Sequence, residues 1–125
     1  MNTPNAPDPR VFFAAERTLL AWQRSSLALM AFGFVIERFS LFLAAIQPGS
    51  QNPARHHFSL LMGLILILLG AVVSVASIVA FRRFVRNLPP DDIPCGHWAG
   101  LGIGVNLVIA AIGVTLSAYL LLTAL

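Results

Sequence analysis

Apolar positions in this chain come in runs too long for the core of a small soluble domain. Leu60 to Phe81 is interrupted only by the small polar residues Ser74 and Ser77, and Trp98 to Leu125 holds one amide, Asn106, and no charged side chain. Each run exceeds the ~20 residues that a helix needs to cross a hydrocarbon core of ~30 Å. A third region, Thr18 to Ile46, is equally apolar on average but carries Arg24, Glu37 and Arg38. Breakers separate the three: Gln47-Pro48-Gly49-Ser50 with Pro53, then Asn87-Leu88-Pro89-Pro90-Asp91-Asp92 with Pro94. The pattern predicts one domain over residues 1–125, with helices at about 9–46, 58–86 and 96–124. In lipid, helix is the way such segments satisfy their backbone groups, short of a closed barrel.

Composition turns this pattern into a class. The chain is 58% hydrophobic and 10% charged, with mean hydropathy +0.82, where an average soluble domain is roughly a quarter charged. An all-α membrane protein with three transmembrane helices is expected. The N-terminus MNTPNAPDPR has no basic stretch leading into a short apolar one, so it does not read as a cleaved signal peptide. The single cysteine, Cys95, excludes an intrachain disulfide and a cysteine metal cluster. All eight basic residues are arginine and the net charge is +3. That balance permits anionic lipid or a phosphorylated partner. Nucleic-acid binding is not expected, because no soluble basic domain exists to carry it.

The arginines set an expected orientation. Arg10 and Arg17 precede the first span, and Arg82, Arg83 and Arg86 follow the second; the opposite face has Arg55 and Arg38 at most. The basic excess places the N-terminus and the second loop in the cytoplasm and the C-terminus outside. Cys95 is then cytoplasmic and reduced. Asp8 followed by Pro9 is a helix start, an acceptor at the N-cap and then proline at the first helical position. With no proline until Pro48, one long first helix is expected, its first part extended into the cytoplasm.

On that helix Arg10, Arg17, Arg24 and Arg38 are spaced by 7, 7 and 14 residues, and seven residues return a helix to within about 20° of its starting direction. They share one stripe. Glu16, Gln23 and Glu37 follow a parallel stripe one residue earlier. Ion pairs along a helix need partners three or four residues away. Arg17 has Phe13, Ala14, Leu20 and Ala21 there, Arg24 has Leu20, Ala21, Leu27 and Ala28, and Glu37 and Arg38 find no opposite charge either. Water, lipid headgroups or another helix are the partners that this arithmetic leaves. The twelve charge-free residues between Arg24 and Glu37 span about 18 Å, so at least one of these groups lies below the headgroups, at a cost of at least ~2.5–3.5 kcal/mol if unpaired. Two readings stay open: snorkelled Arg17 and Arg24 with an outer-edge Glu37/Arg38 pair, or an arginine-lined polar seam facing a bundle interior or a pore.

Small residues offer packing surfaces. Gly63, Gly70 and Ser77 form a heptad seam on the second helix, and Gly96, Gly100 and Gly104 give two overlapping small-xxx-small steps on the third. They point to a packed bundle, within one chain or between copies, and three helices can hardly enclose a channel without oligomerising. Trp22 and Trp98 sit where aromatic belt residues should, and Asn106 is placed to bond across helices. His56 and His57 read as interfacial anchors beside Arg55 rather than metal ligands. Asp91 and Asp92 read as the end of a turn. No nucleophile–base set, nucleotide loop or paired catalytic carboxylate is visible, so no enzyme and no cofactor is expected.

The stretch PRVFFAAERTLLAW, with the arginine group after the second helix and Asp91-Asp92 beyond it, resembles the YidH-type bacterial inner-membrane proteins, a domain family of unknown function. The same domain occurs in the small membrane subunit of the eukaryotic vacuolar transporter chaperone complex, a polyphosphate polymerase. The resemblance covers nearly the whole chain and is most specific from Val11 to Trp22. It implies a homo-oligomeric bundle around a path for a polyanion. By the same resemblance Arg10, Glu16, Arg17 and either Arg82 or Arg83 would stand at the cytoplasmic entrance. Arg24 lies one heptad deeper, where the eukaryotic subunit need not be basic. The chain has neither a polymerase domain nor an inositol-phosphate-sensing domain, so the resemblance implies the membrane part of something larger.

Guanidinium groups suit phosphate, being forked and always charged. The expected anion-binding or pore-lining set is therefore Arg10, Arg17, Arg24, Arg82 and Arg83, with Glu16, Glu37 and Arg38 as clamps between helices. Expected partners are membrane lipids, further copies of the chain, and an anionic ligand such as polyphosphate or phospholipid headgroups. A membrane adaptor that recruits another protein, or an anionic-lipid-binding protein using Arg17 and Arg82, is the competing class.

Overall fold

The computed structural model describes residues 8–49, 52–90 and 99–124. Three helices follow one another: α1 (Pro9–Ile46), α2 (Pro53–Arg86) and α3 (Ala99–Ala124). Each is long and apolar enough to cross a membrane. At 1.5 Å per residue, α1 and α2 are about 57 and 51 Å long, well beyond a hydrocarbon core of ~30 Å.

Local chemistry sets the helix ends. Asp8 caps α1, its carboxylate accepting from the Arg10 backbone N–H at 3.0 Å, with Pro9 at the first helical position. At the other end the Gln47 N–H donates to the Leu43 carbonyl at 3.0 Å, just before Pro48. The second helix begins at Pro53, five residues ahead of the expected 58. Proline there is not a loop breaker but the opening residue of a helix, where its missing N–H has no partner to lose. The polar turn Arg55-His56-His57 is thereby helical, although it lies outside the apolar run. Arg83 and Arg86 lie in the last turn of α2, where cations favour the carbonyl end of the helix dipole. Residues 96–98 of the expected third helix lie outside the described residues.

The packing on α1 follows a heptad. Phe12, Leu19, Ser26 and Gly33 are buried seven residues apart, and Met30 and Glu37 form a second buried row four residues on. Opposite them α2 buries Gly63, Gly70 and Ser77 in one row and Ile67, Ser74 and Phe81 in another. The two helices are antiparallel and touch through their backbones. A Cβ added to Gly33 would lie 2.6 Å from the Gly63 carbonyl oxygen, and one added to Gly63 would lie 2.7 Å from the Gly33 carbonyl oxygen. One turn pair further along, a Cβ on Gly70 would lie 2.7 Å from the Ser26 carbonyl oxygen. Ser59 adds a hydrogen bond, its hydroxyl donating to the Ile36 carbonyl at 3.0 Å.

Helix α2 is central and carries α3 on its other flank. The join is polar: the Ser74 hydroxyl donates to the Asn106 carbonyl at 2.9 Å, the Asn106 amide donates to the Ser77 hydroxyl at 2.8 Å, and Ser77 donates on to the Ser74 carbonyl at 2.7 Å. Around it Met30, Ile67, Ala71, Ile109 and Leu120 form one apolar cluster. Phe12, Leu19 and Phe81 form another at the end where α1 begins and α2 finishes. Direct contact between α1 and α3 is confined to places such as Leu19 against Gly102 and Met30 against Gly113.

Candidate functional site

The inward heptad of α1 settles which way its charges turn in a single chain. Glu16, Gln23, Met30 and Glu37 fall on the flank beside Phe12, Leu19, Ser26 and Gly33, so Glu16 and Gln23 are half-buried and Glu37 is buried at 4% exposure. One residue further on, Arg10, Arg17, Arg24 and Arg38 fall on the exposed side. Acids and amide turn toward the bundle, and cations turn away. Arg10, Arg17 and Arg24 make no ion pair among the described residues, and nor do Arg82, Arg83 and Arg86, which are exposed on α2 at the same end of the bundle. These arginines are thus exposed from the end of the bundle to Arg24, without ion pairs among the described residues.

Glu37 and Arg38 behave differently from the arithmetic of helix spacing. They pair with each other, Arg38 Nε to Glu37 Oε2 at 3.5 Å, and the guanidinium also lies 5.4 Å from the centre of the Phe34 ring. The pairing of Glu37 with Arg38 that one of the two open readings contained is present, although neither finds a partner three or four residues away. Helix-surface rules connect residues three and four apart, but an arginine is long enough to curl back over the adjacent carboxylate when the latter cannot leave its slot. Glu37 is wedged against α2, its Cβ 3.1 Å from where a Cβ on Gly63 would stand. Its Oε2 has no hydrogen-bond partner, and neither has the buried Gln23 Oε1. Within the chain, then, Glu37 closes on its own neighbour and packs against a glycine of α2.

Of the small residues singled out by spacing, Gly63, Gly70 and Ser77 lie on the buried face of α2. Gly100 and Gly104 are exposed, and a Cβ on either would meet nothing within 4 Å. Gly96 lies outside the described residues, as do Asp91, Asp92, Cys95 and Trp98. Asn106 bonds across to α2, as its position in an otherwise apolar run implied. Spacing alone missed Gly33, the residue that meets Gly63. The signal was present as Ser26-x6-Gly33-x6-Ser40, a heptad of small residues on α1 matching the one on α2.

Among the described residues, grooves open between α1 and α2 at both ends of the pair. One, of about 620 Å³, lies at the arginine end but on the other flank of α1, where Ala14, Thr18 and Trp22 face Val73, Ala76 and Ala80. No arginine lines it. The second, of about 510 Å³, lies at the α1–α2 turn and is lined in part by Arg55, His56 and His57.

A family model described as "Domain of unknown function (DUF202)" matches residues 10–87. The match takes in α1 from its second residue and the whole of α2, and stops short of α3. No curated protein and no solved structure matches the chain.

Proposed function

The chain belongs to the DUF202 family, to which the YidH-like stretch Val11–Trp22 also points, and on that premise we propose that it is an oligomeric inner-membrane protein whose arginine-rich end admits or docks an anionic species such as polyphosphate. The observation that carries the reading is the exposed stripe Arg10, Arg17 and Arg24, without ion pairs among the described residues. Arg82 and Arg83 extend it at the same end. A charge as deep as Arg24 is costly in lipid, and copies of α1 set around an axis would give the stripe an aqueous or anionic partner. The extra length of α1 and α2 beyond the core would carry Arg10, Arg17, Arg82 and Arg83 into the cytoplasm, in keeping with the basic excess at that end. Forked guanidinium groups suit the phosphate oxygens of such a ligand. No catalytic step is proposed.

The full chain reconstituted in liposomes provides the test. Short-chain polyphosphate should leave the vesicles, and Arg10→Gln/Arg17→Gln/Arg24→Gln should slow it by about tenfold or more, as expected when a focused cationic field is removed. Absence of anion flux under every condition, or a monomer in mild detergent, overturns the conduit.

One observation favours a non-conducting adaptor instead. The apolar groove at the arginine end is walled by the small residues Ala14, Thr18, Ala76 and Ala80, the residue sizes that let a further helix approach closely. Cross-linking from Trp22-adjacent positions to a stoichiometric partner protein, with the Arg17→Ala phenotype explained by loss of that partner, would favour the adaptor over the conduit.

A further inference from the structure

The cationic surface at one end of the bundle draws attention away from the other end, where the second groove lies. Its polar rim is Arg55, His56 and His57, from the first turns of α2, and its apolar wall includes Phe39, Leu43 and Phe58. Arg55 is exposed and makes no ion pair among the described residues. No aspartate or glutamate occurs between Glu37 and Asp91 or after Asp92, and Glu37 is committed to Arg38 deeper in the bundle. The first turn of α2 has no acidic residue, and the Asn52 side chain makes no capping bond, so the positive end of the helix dipole adds to the same charge.

We propose that this groove binds the headgroup of an anionic phospholipid, its phosphate between Arg55 and the imidazoles of His56 and His57 and its acyl chain along Phe39, Leu43 and Phe58. Two properties select this occupant. The exposed Arg55, without an ion pair among the described residues, asks for an anion, and the apolar wall running down α1 asks for a chain attached to it. A free phosphate would use the rim and leave the wall idle, and a zwitterionic lipid would bring its own cation against Arg55. The site is separate from the arginine stripe and does not depend on whether the protein conducts.

Native mass spectrometry of the detergent-purified full chain, incubated with phosphatidylglycerol, phosphatidylcholine or inorganic phosphate, tests it. Phosphatidylglycerol should be retained in preference to phosphatidylcholine. Loss of one basic group near an anionic surface is worth about fivefold, so Arg55→Gln should lower retention by about fivefold and Arg55→Gln/His56→Gln/His57→Gln by more. Arg86→Gln, which also removes one exposed cation but at the far end of α2, should leave it unchanged. Should the triple variant misfold, the exposed Arg55→Gln change alone carries the comparison. Equal retention of phosphatidylcholine, displacement of the lipid by millimolar phosphate, or an equal loss of retention in the Arg86 variant would each overturn the proposal.

Discussion

The backbone contact between α1 and α2 makes a demanding prediction. In Gly63→Ala the new methyl would stand 2.7 Å from the Gly33 carbonyl oxygen and 3.1 Å from the Glu37 Cβ, where carbon atoms pack best at about 3.5–4.0 Å. Neither neighbour can yield like a flexible side-chain end, since one is main chain and the other is held on the buried row. The helices must therefore separate by something approaching an ångström, loosening the contacts on both sides of Gly63. Forcing an extra methyl into a packed interior costs about 1–3 kcal/mol, and lipid tails solvate the separated faces as well as a helix does, so no hydrophobic penalty opposes the opening. Gly33→Ala should behave alike, its methyl 2.6 Å from the Gly63 carbonyl oxygen. The double variant should cost less than the sum, because one separation relieves both clashes. Gly104→Ala, with nothing within 4 Å of the new methyl, is the control. Unfolding of the purified protein in mixed detergent micelles, followed by circular dichroism, reads all four. Gly63→Ala and Gly33→Ala as stable as the parent, or strictly additive in combination, would refute the contact.

Three further outcomes follow from the polar side chains. Asn106→Leu should destabilise by about 0.6 kcal/mol and by no more than about 1.7, the mean and maximum for bonds between membrane helices; adding Ser74→Ala should cost more still, because the Ser74 hydroxyl keeps its bond to the main-chain carbonyl of residue 106 in the single variant. Arg38→Ala should destabilise by at least about 1 kcal/mol in the same unfolding assay, less than the 3–5 of a fully buried pair, because the Arg38 side chain is 45% exposed. Glu37→Gln keeps the shape and removes the charge, so its stability should stay within about 1 kcal/mol of the parent; a larger loss would show that the carboxylate charge itself holds the helices.

The three helices, the start of the first and the alternation of its charges were legible because length, capping chemistry and seven-residue spacing are local. The facing of the helices was not. In water a buried row declares itself by being apolar, but here the outward positions are apolar too, Phe32, Val35, Phe39 and Phe42 among them, while the inward row runs Phe12, Leu19, Ser26, Gly33. Size, not hydropathy, carries the information. Small residues recur on α2 at Gly63, Gly70 and Ser77, where they are buried, and on α3 at Gly100 and Gly104, where they are not. A one-helix pattern cannot separate the two cases, since each needs a matching row opposite. Arg38 shows a second limit. Its pairing with Glu37 was one of two readings that helix spacing left open, and spacing could not show the wedging of Glu37 against Gly63 that accompanies it.

The triangle of Ser74, Ser77 and Asn106 has a consequence for how the chain is made. Helices α1 and α2 leave the ribosome first and can close on each other through main-chain contact alone. Asn106 then enters the bilayer with an amide that lipid cannot satisfy, and the hydroxyls of Ser74 and Ser77, already presented by the finished hairpin, are within its reach when α3 arrives. A shift of α3 by two turns along α2 would strand that amide beside Ile67 or Phe81. The third helix is thus delivered to one register by a proofreading contact, and a chain that fails it would present an unsatisfied amide to quality-control machinery.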